Sequence, residues 1–121
     1  MKKLILVIYF LIFSNPAFSL VEVDNAIYQH GEIINVSSVR TTLKTAHGEE
    51  EVIIALVVKE DKSSIGEIDL KKHCLKMLSH YKVPHQIFFV DSLPQGGSGK
   101  ILRSKVKLLF DNQYKNQVKN L

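Results

Sequence analysis

Cysteine occurs once in the 121 residues, proline three times and tryptophan not at all. A lone cysteine, Cys74, excludes an internal disulfide framework, so the fold must rest on its apolar core. Cys74 stands among Leu70, Met77, Leu78 and Tyr81, the setting of a small buried apolar residue rather than a nucleophile. The five histidines, at positions 30, 47, 73, 80 and 85, are dispersed, and none has a cysteine or carboxylate at a metal-ligand spacing. The sequence therefore predicts no metal site. Paired catalytic carboxylates are missing too. Glu49-Glu50-Glu51 are consecutive and cannot converge as acid and base, so they read as a solvated turn. Internal repeats and low-complexity tracts are absent.

What is present suits one small domain with a modest core, since 45% of residues are hydrophobic and 23% charged. The net charge of +4 is concentrated late, with six Lys/Arg against the single acid Asp111 from Lys100 onward. Residues 1–19 have the pattern of a secretory signal peptide. Lys2-Lys3 precede the apolar run Leu4–Phe13, Pro16 breaks it, and Ala17-Phe18-Ser19 supplies small residues for cleavage after Ser19. Ten apolar residues are too few to span a bilayer, so any membrane contact rests on residues 4–13 of an uncleaved leader.

Beyond the leader, Val23, Ala26 and Ile27 mark a short helix over Val23–His30 that Gly31 ends. Ile33–Val39 and the unbroken apolar run Val52–Val58 read as strands, the second buried. Ser63-Ser64 offer capping hydroxyls to a helix over Glu67–His80, whose stripe is Leu70, Cys74, Met77, Leu78 and Tyr81. Pro84 prevents that helix from continuing, and Gln86–Val90 reads as a third strand. Phe88 and Phe89, being adjacent, must face opposite sides of it. A basic helix over Ile101–Phe110 follows, then a polar basic tail, 111–121, expected to fray. The order predicts an α+β fold, a small three-stranded sheet with helices packed on it, over residues 20–110.

Between the third strand and the last helix lies Leu93-Pro94-Gln95-Gly96-Gly97-Ser98-Gly99-Lys100-Ile101-Leu102-Arg103, read as a mobile loop with one cation at its tip. Glycine there permits positive φ and close approach to a ligand, and lysine is a compact charge on a flexible stem. The loop is not a nucleotide-binding P-loop. That motif needs glycine and Ser/Thr where this chain has Pro94 and Ile101. Neither a stacking pair on a strand nor a zinc-finger or helix-turn-helix spacing accompanies the basic tail, so no nucleic-acid partner is expected.

In combination these segments resemble a known family. Tyr81-Lys82-Val83-Pro84, Ile87–Val90, Leu93-Pro94 and Gly99-Lys100-Ile101-Leu102-Arg103 are similar to the end of adenylate-forming, AMP-binding enzymes. Glu22–His30 resembles the first helix of their small C-terminal domain, and His47-Gly48-Glu49-Glu50 with Ile54–Val58 its Gly-Glu turn and strand. Acyl- and aryl-coenzyme A synthetases are the nearest in pattern. The resemblance implies a lid that swings on a large domain binding ATP, magnesium and a carboxylic acid. It implies that Lys100 supports carboxylate adenylation, with Gly96, Gly97, Ser98 and Gly99 as the loop carrying it. In a second orientation such a lid helps form the coenzyme A thiol channel.

The chain departs from the family pattern at Arg40, where glycine is usual, and at Thr41-Thr42-Leu43. The large domain's phosphate loop and ribose aspartates are not among these residues. The expectation is a detached lid domain of an acyl-coenzyme A synthetase-like ligase, inactive alone, that binds no cofactor by itself and needs a separate large adenylating domain. That reading is cytoplasmic. The alternative is a small exported or membrane-associated binding protein that keeps the fold without the chemistry.

Overall fold

A computed structural model of the chain describes residues 16–120, with side chains from Leu20 onward. Leader residues 1–15 lie outside the described part. The first helix, α1, spans Pro16–Tyr28. It therefore starts seven residues earlier than the Val23 start that apolar spacing predicts, and the bond after Ser19 lies inside it. Proline is favoured in the first turn, where its missing N–H and fixed φ cost nothing. Val23, Ala26 and Ile27 are buried as expected.

Strands β1, Ile33–Thr45, and β2, Gly48–Lys59, form a long antiparallel hairpin. The sequence predicts two shorter strands joined by a polar connection. Here Arg40, Thr41, Thr42 and Leu43, the positions that depart from the family pattern, continue the strand and pair with Ile53, Val52, Glu51 and Glu50. Glu49-Glu50-Glu51 are thus strand residues at the exposed end of the hairpin, and the Arg40 guanidinium hydrogen-bonds and ion-pairs with Glu51 across it. The reversal is confined to Ala46-His47, with Gly48 at φ +119°, a conformation that L side chains rarely adopt.

From β2 the chain crosses through α2, Glu67–Met77, to β3, Gln86–Phe89, which pairs parallel to β2. The sheet order is β1-β2-β3, with β2 in the middle. The cap of α2 is not the serine pair: Gly66 occupies the N-cap and its N–H reaches the Asp69 carboxylate at 3.3 Å. Leu70, Cys74 and Leu78 are buried, whereas Met77 and Tyr81 are 41% and 56% exposed, which narrows the predicted stripe. The helix stops at Met77, and His80–Lys82 form a separate 3-10 turn, too early for Tyr81 to share the helical face. Last comes α3, Arg103–Gln113.

Two cores lie on opposite faces of the sheet. On one, α1 and α2 bury Val23, Ile27, Leu70 and Cys74 against Val36, Ala55 and Val57. On the other, α3 buries Val106 and Phe110 against Val39, Ile54 and Leu56. Strand β2 alternates between them, Ile54 and Leu56 to one face and Ala55 and Val57 to the other, which explains its unbroken apolar run. Phe88 joins the α3 core, its ring centroid 6.5 Å from Phe110, while Phe89 packs on the other side.

The tail does not fray as composition suggests. Helix α3 runs to Gln113, Tyr114 and Val118 pack against the α3 core, and the Lys119 N–H donates to Gln86 Oε1 at 2.8 Å. Phe110 is wholly buried while Leu108, on the same helix, is 60% exposed. Phe110→Ala should cost about 3–5 kcal/mol in urea unfolding and Leu108→Ala less than about 0.5. Equal losses would contradict the placement of α3.

Candidate functional site

Lys100 lies in a loop that is more ordered than its composition predicts. The Gly96 N–H donates to the Lys100 carbonyl at 2.8 Å, the Gly99 N–H to the Gly96 carbonyl at 3.0 Å, and the Leu102 N–H to the Pro94 carbonyl at 3.0 Å. Gln95 and Ile101 face each other as an antiparallel bridge. The segment is a miniature hairpin, closed by its own backbone. Gly99, at φ +81°, makes the reversal that a residue with a Cβ would resist. Gly97, Ser98 and Lys100 point to solvent, so the ammonium is presented outward on a braced turn.

The brace continues into the body of the domain. Three residues after Lys100, the Arg103 guanidinium reaches back to α1 and donates to Asp24 Oδ2 at 2.6 Å. The other carboxylate oxygen, Oδ1, accepts the Ser38 N–H of β1 at 2.8 Å. Asp24 thus joins three elements: α1 holds it, β1 donates to it, and the start of α3 supplies its countercharge. It is only 8% exposed. Burial raises its carboxyl above the ordinary 3.8, against the opposing pull of Ser38 and of the Arg103 charge.

The geometry also accounts for the edge of the sheet. Strand β1 has a partner on one side only. On its free side, the Ser38 N–H is taken by Asp24, the Ser38 carbonyl by Arg103 at 3.4 Å, and the Arg40 carbonyl by Lys107 Nζ at 2.7 Å. Charged side chains here do what a fourth strand would do, and they blunt the edge against pairing with another chain.

Between α1, β1 and the lysine hairpin lies an open cleft of about 550 Å³ lined by residues that include Asp24, Ser37, Lys100 and Arg103. Its polar groups come from three separate elements, so it is not visible in any single stretch of sequence. Among the described residues no group of three or more His, Cys, Asp and Glu could hold a metal ion. Cys74 is buried, and burial pushes its thiol up to about 11, far from a reactive thiolate.

The Gly-rich lysine turn, the mixed sheet and the enclosing helices belong together in one family. Residues 22–100 match the AMP-binding enzyme C-terminal domain. The chain belongs to that family. Sulfoacetate–CoA ligase of Cupriavidus necator is 34% identical over 85 residues, 70% of this chain and 16% of that protein. A 4-coumarate–CoA ligase of Arabidopsis thaliana is 35% identical over 86 residues, 71% of this chain and 15% of that protein. The chain therefore corresponds to about a sixth of the length of these curated relatives.

Solved structures agree on the fold. The chain superposes on apo MatB of Rhodopseudomonas palustris with a TM-score of 0.64 at 22% identity, over 79% of this chain and 19% of that one. A Mycobacterium tuberculosis fatty acyl CoA synthetase gives 0.61 at 24%, over 81% and 18%. The chain thus has the α+β fold of an AMP-binding enzyme C-terminal domain, as the sequence predicts.

Of the residues the sequence singles out, Gly96, Gly97, Ser98, Gly99 and Lys100 do form one unit. Sequence reasoning missed Asp24, although a carboxylate one step from the buried Val23 of an amphipathic helix was a usable signal. It also did not foresee a partner for Arg103 79 positions away.

The Asp24 environment has a pH signature. A carboxyl whose folded value is raised holds its proton more tightly in the folded chain. Its contribution is complete below about 3.8 and is lost as pH rises through the raised value. Urea unfolding of wild type and Asp24→Asn between pH 3 and 7 should show wild type losing stability relative to the variant as pH rises. A flat difference, or one of opposite slope, would contradict the burial account.

Proposed function

We propose that this domain works as the lid of an AMP-forming acid–thiol ligase, with Lys100 delivering a positive charge to carboxylate adenylation in a site formed by a large ATP-binding domain. The observation that carries this reading is the placement of Lys100. It is exposed directly after the reversal of a closed hairpin, its carbonyl accepting the Gly96 N–H, in a segment whose match to the family extends to residue 100. Adenylation brings a carboxylate against a phosphate, and a cation aimed at that encounter stabilises charge as it develops.

The braced hairpin sharpens how the charge would travel. The loop backbone is held by its own hydrogen bonds and followed directly by the Arg103 anchor. Lys100 therefore enters and leaves by movement of the whole domain, with the flexible lysine stem making the last adjustment. The glycines serve the shape of the turn rather than slackness in it. No large nucleotide-enclosing cavity is needed here, because ATP, magnesium and the acid belong to the large domain, which these residues do not contain. Coenzyme A would be the acceptor in the completed enzyme, and these substrates place that work in the cytoplasm. Alone, the domain is inactive.

The test is reconstitution. Mixed with the purified large domain of a coenzyme A ligase, the chain should stimulate acid-dependent pyrophosphate release. Lys100→Ala should reduce that stimulation by about 10²–10³. No stimulation, or equal stimulation by the variant, would remove the catalytic role.

A further inference from the structure

We infer that the first half of β2, Gly48–Ile53, is a docking edge, and that its occupant is the chain's own Lys2–Leu6, added as a parallel strand. The inference uses other residues than the ligase reading and does not rest on it.

The edge is defined by the sheet. Strand β3 pairs with β2 from Ile54 to Val57 alone. Gly48–Ile53 therefore has β1 on one side and, among the described residues, no strand on the other. The His85 N–H donates to the Ile53 carbonyl at 2.8 Å, which fixes the side to which that residue's backbone points. By strand alternation Glu49 and Glu51 turn their own N–H and C=O the same way. On the free side of β1 the side chains of Asp24, Arg103 and Lys107 cover such groups; among the described residues none covers these. Beside the edge runs an open groove of about 520 Å³, walled on its far side by Tyr81–Val83. An unpaired edge along a groove is the form in which a sheet accepts an added strand.

The chemistry along the edge selects the occupant. It runs from Glu49-Glu50-Glu51 to the partly buried Val52 and Ile53. Glu51 is paired with Arg40, but the carboxylates of Glu49 and Glu50 have no ion pair among the described residues. A second copy pairing through the same edge would set glutamates against glutamates, which is destabilising. Lys2-Lys3-Leu4-Ile5-Leu6 has the complementary order. Consecutive strand residues point to opposite faces, so two lysines in parallel alignment each meet a glutamate on their own face. Leu4–Leu6 then lie alongside Val52 and Ile53.

The chain also reaches. Helix α1 leads to this groove, because Glu22 accepts from Lys82 of the groove wall at 2.8 Å. Pro16 begins the helix six residues earlier, about 9 Å further along its axis. The free edge is about 17 Å long at ~3.4 Å per residue. The segment between Leu6 and Pro16 can extend about 30 Å, enough to return from the far end of that edge. A leader seated there is withdrawn from any export channel or bilayer.

Amide hydrogen exchange of the full chain, read by NMR, tests this. The Glu51 and Ile53 amides should exchange about tenfold or more slowly in wild type than in Lys2→Glu/Lys3→Glu. Adding Glu49→Lys/Glu50→Lys to that variant should restore the protection, and Val52, whose amide faces β1, should not respond. Fast exchange of Glu51 and Ile53 in wild type, or equal protection in the charge-reversed variant, would overturn the inference. Zero-length carbodiimide coupling of wild type supplies a readout that needs no variant. Lys2 or Lys3 should join Glu49 or Glu50 within one chain in a mixture of isotopically light and heavy chains. Coupling between chains would make the occupant a second copy, and it would refute the inference, as would no coupling at all.

Discussion

The contact between Arg103 and Asp24 is the constraint on which the rest of this domain depends. A carboxylate buried on the first helix costs free energy unless it is hydrogen-bonded and paired. Here the edge strand and the start of the last helix both satisfy it, so the two ends of the chain are registered against the sheet at one point. The raised Asp24 value indicates that desolvation outweighs these partners in net energy. The link is therefore better understood as fixing geometry than as adding stability. It determines where α3 begins and hence where the lysine hairpin stands.

The sheet gives that point its rigidity. Central strand β2 is buried on both faces, with α1 and α2 packed on one and α3 on the other. Hydrogen bonds from side chains then cover the free edge of β1 at Ser38 and Arg40. Ion pairs and lysine-to-carbonyl bonds knit elements that the apolar cores leave separate: Lys82 to Glu22 at 2.8 Å, and Lys71 to the His85 carbonyl at 2.6 Å. Lys100 projects from this body as an exposed charge on a short, closed turn. A closed turn keeps such a charge at a fixed place on the body, which a slack loop would not do.

Much of this was legible in the sequence where local pattern and burial agree. The apolar run at Val52–Val58, the pair Leu70 and Cys74, and the adjacent phenylalanines all read correctly because period and core face coincide. The glycine-lysine segment was legible as one loop, though not its backbone bonding, which depends on which carbonyl each N–H finds. Other features are tertiary. Glu49-Glu50-Glu51 look like a turn by composition, yet cross-strand pairing with Arg40 and its neighbours makes them strand residues. The tail looks soluble and loose, but Val118 and the Lys119 N–H find partners on the α3 core and at Gln86. No local pattern reports a partner 79 residues away.

The central claim, that Arg103 is placed by Asp24, is tested most directly by a double-mutant cycle with Asp24→Asn and Arg103→Met, read by urea unfolding at pH 7. Removing Arg103 beside an intact buried carboxylate should cost about 2 kcal/mol, since the guanidinium side chain is 45% exposed and partly screened. Removing it beside asparagine should cost about 1 kcal/mol less, a coupling well above the scatter of independent sites. If Arg103→Met costs the same in both backgrounds, the two residues are neighbours without consequence and the account fails.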